Sequence, residues 1–88
     1  MLEIRPSCEN CNKLLLYDSD EAMICTFECT FCKECVETIL YKTCSNCGGN
    51  FTQRPIRPKR LLKKYPVSEK IVHKPVDVKA HLKRIQKT

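Results

Sequence analysis

Cys29-Thr30-Phe31-Cys32-Lys33-Glu34-Cys35-Val36-Glu37-Thr38-Ile39-Leu40-Tyr41 sets three cysteines at intervals of three, and the third falls inside a helical pattern. Val36, Ile39 and Leu40 stand at i, i+3 and i+4, so they share one helix face, and Cys35 falls on the first turn. A tight turn that places two sulfurs side by side and then runs into a helix presents a pair of ligands to one metal ion. Upstream, Ala22–Phe27 and Cys29–Phe31 are short, rich in Thr, Phe and Ile, and bounded by cysteines; they read as a small hairpin carrying Cys25 and Cys29. Further out lie two more knuckles, Cys8-Glu9-Asn10-Cys11 and Cys44-Ser45-Asn46-Cys47. The second runs into Gly48-Gly49, which can supply a left-handed turn.

The full spacing is C-x2-C-x13-C-x3-C-x2-C-x2-C-x8-C-x2-C, eight cysteines in an 88-residue chain. Structural Zn²⁺ takes four thiolate or imidazole ligands in a tetrahedron, so eight thiols supply two closed sites and leave none over. The rival readings are disulfides and a redox dithiol. The N-terminal Met1-Leu2-Glu3-Ile4-Arg5-Pro6 does not resemble a signal peptide, and no stretch is long and apolar enough for a membrane span. The expected setting is therefore the reducing cytoplasm, where clustered cysteines bind metal more often than they crosslink. A thioredoxin-like dithiol needs a single C-x-x-C beside a βαβ pattern, and three knuckles leave no room for one.

Size makes the metal necessary. Leu14, Leu15, Leu16, Met23, Ile24, Phe27, Phe31, Val36, Ile39 and Leu40 form most of the apolar content of the cysteine-rich half, too little for a self-sufficient core. Charge divides the chain. Residues 1–50 carry four Lys or Arg against eight Asp or Glu, whereas residues 51–88 carry twelve against two, or −4 beside +10. Eight thiolates and two Zn²⁺ would bring the formal +6 of the chain down to about +2, so the basicity belongs to the tail.

Spacing leaves two partitions of the ligands open. In a sequential scheme the first four cysteines take one ion and the last four the other. In an interleaved scheme Cys8, Cys11, Cys32 and Cys35 take one, and Cys25, Cys29, Cys44 and Cys47 take the second. The knuckle-plus-helix at Cys32–Cys35 looks like the centre of a treble clef, which favours interleaving.

These residues resemble the RING-finger pattern, with Cys29 where most RING fingers have histidine. Phe31 before Cys32, the Cys32-Lys33-Glu34-Cys35 pair, Val36 and a short helix look like the middle of such a domain. The cross-brace that the resemblance implies is the interleaved scheme: Zn²⁺, two per chain, in an α+β RING-like treble clef with one hairpin and one helix. A further resemblance covers residues 1–58. Met1–Pro6, Ile24–Cys32, Cys47-Gly48-Gly49 and Arg54-Pro55-Ile56-Arg57-Pro58 are similar to a small bacterial cysteine-rich family catalogued as domain of unknown function 1272. That family implies no activity. RING fingers commonly recruit ubiquitin-conjugating enzymes, but this chain departs from the recruiting positions: Glu9 and Asn10 in the first knuckle, Ser45 and Asn46 in the last, and Gly48 after it. A ubiquitin ligase is the weakest of the readings.

Residues 59–88 form a basic extension outside that resemblance. Arg54, Arg57, Lys59, Arg60, Lys63 and Lys64 fall within eleven residues, near Phe51 and Tyr65, a pattern that can neutralise nucleic-acid phosphates. The plainer reading is a solvated extension punctuated by Pro55, Pro58, Pro66 and Pro75. After Pro75, Asp77 can cap a short helix over 77–86 in which Val78, Leu82 and Ile85 line one face. His73 and His81 are expected to be free or on the helix surface, because eight cysteines already fill two sites. No paired carboxylates, Gly-rich phosphate loop or nucleophile with its base appears. The expectation is therefore a cytoplasmic, non-catalytic zinc module that binds or scaffolds a protein partner through residues 1–58. Nucleic acid, held through the tail, is the alternative.

Overall fold

A computed structural model of the protein describes residues 2–86. Its centre is a three-stranded antiparallel sheet in the order β2-β1-β3, built from β1 (Ala22–Ile24), β2 (Thr30–Cys32) and β3 (Thr52–Gln53). The hairpin between β1 and β2 pairs Ala22 with Cys32 and Ile24 with Thr30. β1 is shorter than the pattern suggests, and β2 keeps the expected length one residue further on. The chain leaves the ladder at Cys25, whose N–H reaches the Cys29 carbonyl at 3.3 Å, and Glu28 turns back with φ 63°. β3 carries no sequence signal, being two exposed residues on the sheet edge; Met23 pairs with Gln53 and Ile24 with Thr52.

Helix α1 (Lys33–Thr38) follows β2 without a linker. It is shorter than the expected run to Tyr41. After Ile39 the Leu40 N–H closes back on the Cys35 carbonyl at 2.9 Å, and Tyr41 and Lys42 take left-handed conformations, φ 50° and 62°. One face of the helix delivers Cys35 and Val36 to the core beside Leu15, Ala22, Phe31 and Leu40. Phe31 meets Phe51 edge-on, with centroids 5.6 Å apart and planes at 81°, the arrangement that ring quadrupoles favour. The remaining core positions are cysteines: Cys8, Cys25, Cys32, Cys35 and Cys44 are all buried. The centre of the molecule is therefore sulfur-rich, with one small apolar layer.

The tail returns to this centre. A 3-10 turn (Lys59–Leu61) is followed by an extended segment whose Ser68 N–H bonds the Ile4 carbonyl at 2.9 Å and whose Lys74 N–H bonds the Glu9 carbonyl at 2.7 Å. Val76 packs on the core. Helix α2 (Val78–Gln86) then starts under Asp77, whose Oδ1 accepts the Ala80 N–H at 3.2 Å, as an N-cap should. The helix is rotated from the expected face. His81 is its buried residue, at 1% exposure, with Leu82 and Ile85 half-buried and Val78 turned out. This corrects both the apolar stripe and the surface placement of His81. Its ring Nε2 donates to the Leu40 carbonyl at 2.7 Å, so a polar side chain occupies the place where a leucine would leave that carbonyl unpaired.

Candidate metal centres

The first and third knuckles fold alike because the same bonds close them. In the first, the Asn12 N–H reaches the Cys8 carbonyl and the Cys8 N–H reaches the Lys13 carbonyl, both at 2.9 Å. In the third, Gly48 N–H reaches Cys44 at 2.9 Å and Cys44 N–H reaches Gly49 at 2.7 Å. The residue after the second cysteine takes the left-handed conformation in each, Asn12 at φ 62° and Gly48 at φ 79°. A β-carbon at Gly48 would meet nothing within 4 Å, so the backbone angle and not space asks for glycine there. Backbone N–H groups also point at sulfur: Phe27 at Cys25 Sγ (3.4 Å), Asn46 at Cys44 Sγ (3.4 Å) and Gly49 at Cys47 Sγ (3.5 Å). Such donors stabilise thiolates.

The structure brings Cys8, Cys11, Cys32 and Cys35 together, with their sulfurs all within 4.8 Å of one another. Zinc–sulfur bonds of about 2.3 Å in a tetrahedron require sulfurs about 3.8 Å apart. The Cys11 and Cys32 sulfurs lie 3.7 Å apart, so the donor set fits. Two of these ligands come from the knuckle at Cys8–Cys11 and two from the start of α1, and this group therefore spans the hairpin. A second group joins Cys25 to Cys44 and Cys47 within the same 4.8 Å limit. Cys29 lies outside that trio, with its sulfur 3.4 Å from the Asn46 Nδ2. Both groups link segments distant in sequence, and they interleave along the chain. Two cysteine groups, of four and of three, can thus hold metal ions.

Burial pushes the Cys35 and Cys32 thiols up, and burial raises Cys44 to about 12. At Cys11 burial also acts upward, but the Lys13 backbone and the thiols of Cys8, Cys32 and Cys35 outweigh it and hold that thiol below its ordinary value. Four close sulfurs cannot all ionise beside one another without a positive charge among them. A divalent ion removes that conflict and displaces the protons.

The residues between the ligands have work that sequence alone did not assign. Glu9 is buried, and its Oε2 accepts the Thr30 N–H at 2.9 Å and an Arg5 guanidinium N–H at 3.0 Å. Its Oε1 accepts from Asn46 Nδ2 at 3.3 Å, which ties the first knuckle to the third. Asn10 donates from Nδ2 to Cys35 Sγ at 3.3 Å, while its Oδ1 accepts the Val76 N–H at 2.8 Å. His73, on the tail, donates from Nε2 to the Asn10 carbonyl at 3.2 Å. The available signal was an acid and two amides, Glu9, Asn10 and Asn46, inside knuckles: side chains that can reach sulfur or a neighbouring knuckle.

The six basic residues expected to face phosphates divide. Arg54 is 1% exposed. It donates from Nη1 to the Arg5 carbonyl and from Nη2 to the Leu16 carbonyl, both at 2.8 Å, and burial lowers its pKa. Arg57 donates to the Leu2 and Tyr65 carbonyls at 2.6 Å each. These two guanidiniums join the first residues of the chain to the tail and leave the expected phosphate-binding stripe. Lys59, Arg60, Lys63 and Lys64 remain exposed.

Comparison with known proteins agrees with the cysteine pattern. A family model described as a protein of unknown function (DUF1272) matches residues 1–57. An uncharacterized protein of Rhizobium meliloti (strain 1021) is 59% identical over 75 residues, which cover 85% of this chain and 89% of that protein. No solved structure matches the chain.

Proposed function

The chain belongs to the DUF1272 family, and from that premise we propose that it is a non-catalytic binding module built around two Zn²⁺ ions. Cys8, Cys11, Cys32 and Cys35 hold one ion. Cys25, Cys44 and Cys47 hold the other, with Cys29 as the fourth ligand, so the sites cross-brace the fold in the RING-like manner. The observation that supports this most is the clustering itself: seven sulfurs fall into two groups whose members alternate along the chain. Cys29 faces Cys25 across the hairpin, its carbonyl accepting the Cys25 N–H at 3.3 Å, which places it beside the trio it would complete. With every thiol committed to structure, the exposed surface and not a reaction centre is what the molecule offers a partner. Its place is a reducing compartment, where thiolates stay available to metal.

Native mass spectrometry tests this. The protein purified under reducing conditions should carry two zinc ions per chain, and Cys29→Ser should leave the first ion bound while weakening the second. Four disulfides, or one ion per chain at saturating zinc, would contradict the proposal.

A further inference from the structure

We propose that the turn at residues 59–64 docks the phosphodiester backbone of nucleic acid, held by charge without reading bases. The inference is independent of the metal assignment, because the turn contains no ligand. It rests on how the basic stretch is folded. Arg57 closes this segment as a clamp: Nη1 donates to the carbonyls of Tyr65 at 2.6 Å and Pro66 at 3.4 Å, and Nη2 donates to Leu2 at 2.6 Å. Between those ends the Leu61 N–H bonds Pro58, the Leu62 N–H bonds Lys59 and the Tyr65 N–H bonds Leu61, at 2.9, 3.2 and 2.8 Å. Leu61 and Leu62 turn inward and are half-buried. Lys59, Arg60, Lys63 and Lys64 are left exposed on one short, closed turn.

Among the described residues no carboxylate pairs with any of these four cations; the ion pairs of the chain use Arg5 and Lys13. Lys64 lies 5.5 Å from the centre of the Tyr65 ring, which orients the ammonium without neutralising it. The large apolar side chains on the surface, from Leu14 to Val78, include none between 57 and 70. A protein partner draws most of its affinity from a few well-packed anchors set in an apolar surround, and this turn exposes no large apolar side chain to build one. Four unneutralised cations in six residues, already ordered by the fold, suit a regular polyanion. Residues 1–50 carry −4, whereas residues 65–88 carry six Lys or Arg against two Asp or Glu, so the charge distribution steers such a ligand to the C-terminal half that holds these four cations. The family model ends at residue 57, but the match to the Rhizobium meliloti protein extends over the turn. Seventy-five matched residues of an 88-residue chain take in positions 14–75 whichever end the match begins from.

The test uses the full, zinc-loaded chain and fluorescence anisotropy with a labelled DNA duplex and a labelled RNA strand, both without a chosen sequence. Four phosphate contacts give a log–log salt slope of about −3.6 on duplex and about −2.8 on the single strand, and roughly a hundredfold loss of duplex affinity between 50 and 200 mM salt. Arg60→Ala and Lys63→Ala should each flatten the duplex slope by about 0.9, and the double variant by about twice that. Lys33→Ala on α1 and Lys79→Ala on α2 should leave it unchanged, with zinc content confirming that every variant is folded. Absence of binding at 50 mM salt, or a slope that survives the double variant, would overturn the proposal. So would a labelled polyglutamate of equal charge that binds as tightly as the duplex, which would point to an acidic protein instead.

Discussion

Two regions of this small protein are tied to one another by different chemistry. Residues 8–47 converge on two groups of thiols, whereas residues 66–86 are held mostly by hydrogen bonds to backbone carbonyls of residues 1–50: Ile4, Glu9, Asn10, Leu40 and Ser45. Sulfur clusters are all-or-none, since an ion that loses two of four ligands is lost. Carbonyl contacts are individually modest, at about 0.5–1.5 kcal/mol each, and can be removed one at a time. The first region should therefore fail as a unit and the second by degrees.

The largest effect should come from taking the metal away. Structural zinc contributes on the order of 10 kcal/mol in small domains, comparable to the whole stability of a typical small fold, so a strong chelator should unfold the cysteine region and release the tail with it. Circular dichroism and amide exchange would register both losses together. A tail that stayed protected after chelation would show that it folds on some other support. Acid should act in the same direction. Because burial raises the thiols of Cys35 and Cys44, both are protonated in the metal-free state at neutral pH, and each ion must expel protons to bind. Lowering the pH strengthens the proton as a competitor, so zinc occupancy should fall with pH, and calorimetry in buffers of different ionisation enthalpy should count several protons released per ion.

Next in size is Arg54, which lies fully inside and bonds the carbonyls of Arg5 and Leu16. Arg54→Ala leaves the carbonyls of Arg5 and Leu16 without their partners and opens a cavity, a loss of about 2–4 kcal/mol in denaturant unfolding of the zinc-loaded protein. Arg57→Ala removes comparable bonds at a half-exposed position and should cost less, about 1–2 kcal/mol. Equal losses at the two sites would mean that burial is not what makes Arg54 matter.

Glu9 sharpens the comparison because it serves both regions. Its side chain joins the first knuckle to β2, Arg5 and Asn46, and its carbonyl receives the tail at Lys74. Glu9→Gln keeps the shape but offers one acceptor oxygen where three donors converge, so about 1–3 kcal/mol should be lost, with zinc stoichiometry unchanged. His81→Ala should cost about as much as Arg57→Ala, about 1–2 kcal/mol. Its mark is spatial: amide exchange should quicken over residues 73–86 while residues 8–47 keep their protection.

That contrast also explains what could be read from the sequence. The α+β class, the hairpin with Cys25 and Cys29 and the helix after Cys32 were legible in the local pattern, because metal ligands must recur at intervals that a tight turn can satisfy; spacing left the partition of the ligands open, and the structure gathers Cys8, Cys11, Cys32 and Cys35 and a trio of Cys25, Cys44 and Cys47 without Cys29. β3 was not legible, since two exposed residues pair on a sheet edge only because β1 already waits there. Arg54, Arg57 and His81 misled for one reason. A cationic or polar side chain looks solvated in a list of residues, and only three-dimensional placement reveals which carbonyl it reaches. Glu9 and Asn46 were noticed as departures from the ligase pattern, yet their positive role depends on two knuckles lying side by side. The tail was legible as basic and proline-broken, but its return across the first knuckle was not, because an extended segment bonded through scattered backbone groups leaves no periodic trace.

Cadmium–proton correlation spectroscopy on the cadmium-substituted protein would decide the arrangement on which all this depends, since it shows which cysteine β-protons couple to which ion. One cadmium should couple to Cys8, Cys11, Cys32 and Cys35, and a second to Cys25, Cys29, Cys44 and Cys47. A single cadmium coupled to both Cys8 and Cys25 would contradict the cross-brace and restore the sequential pairing.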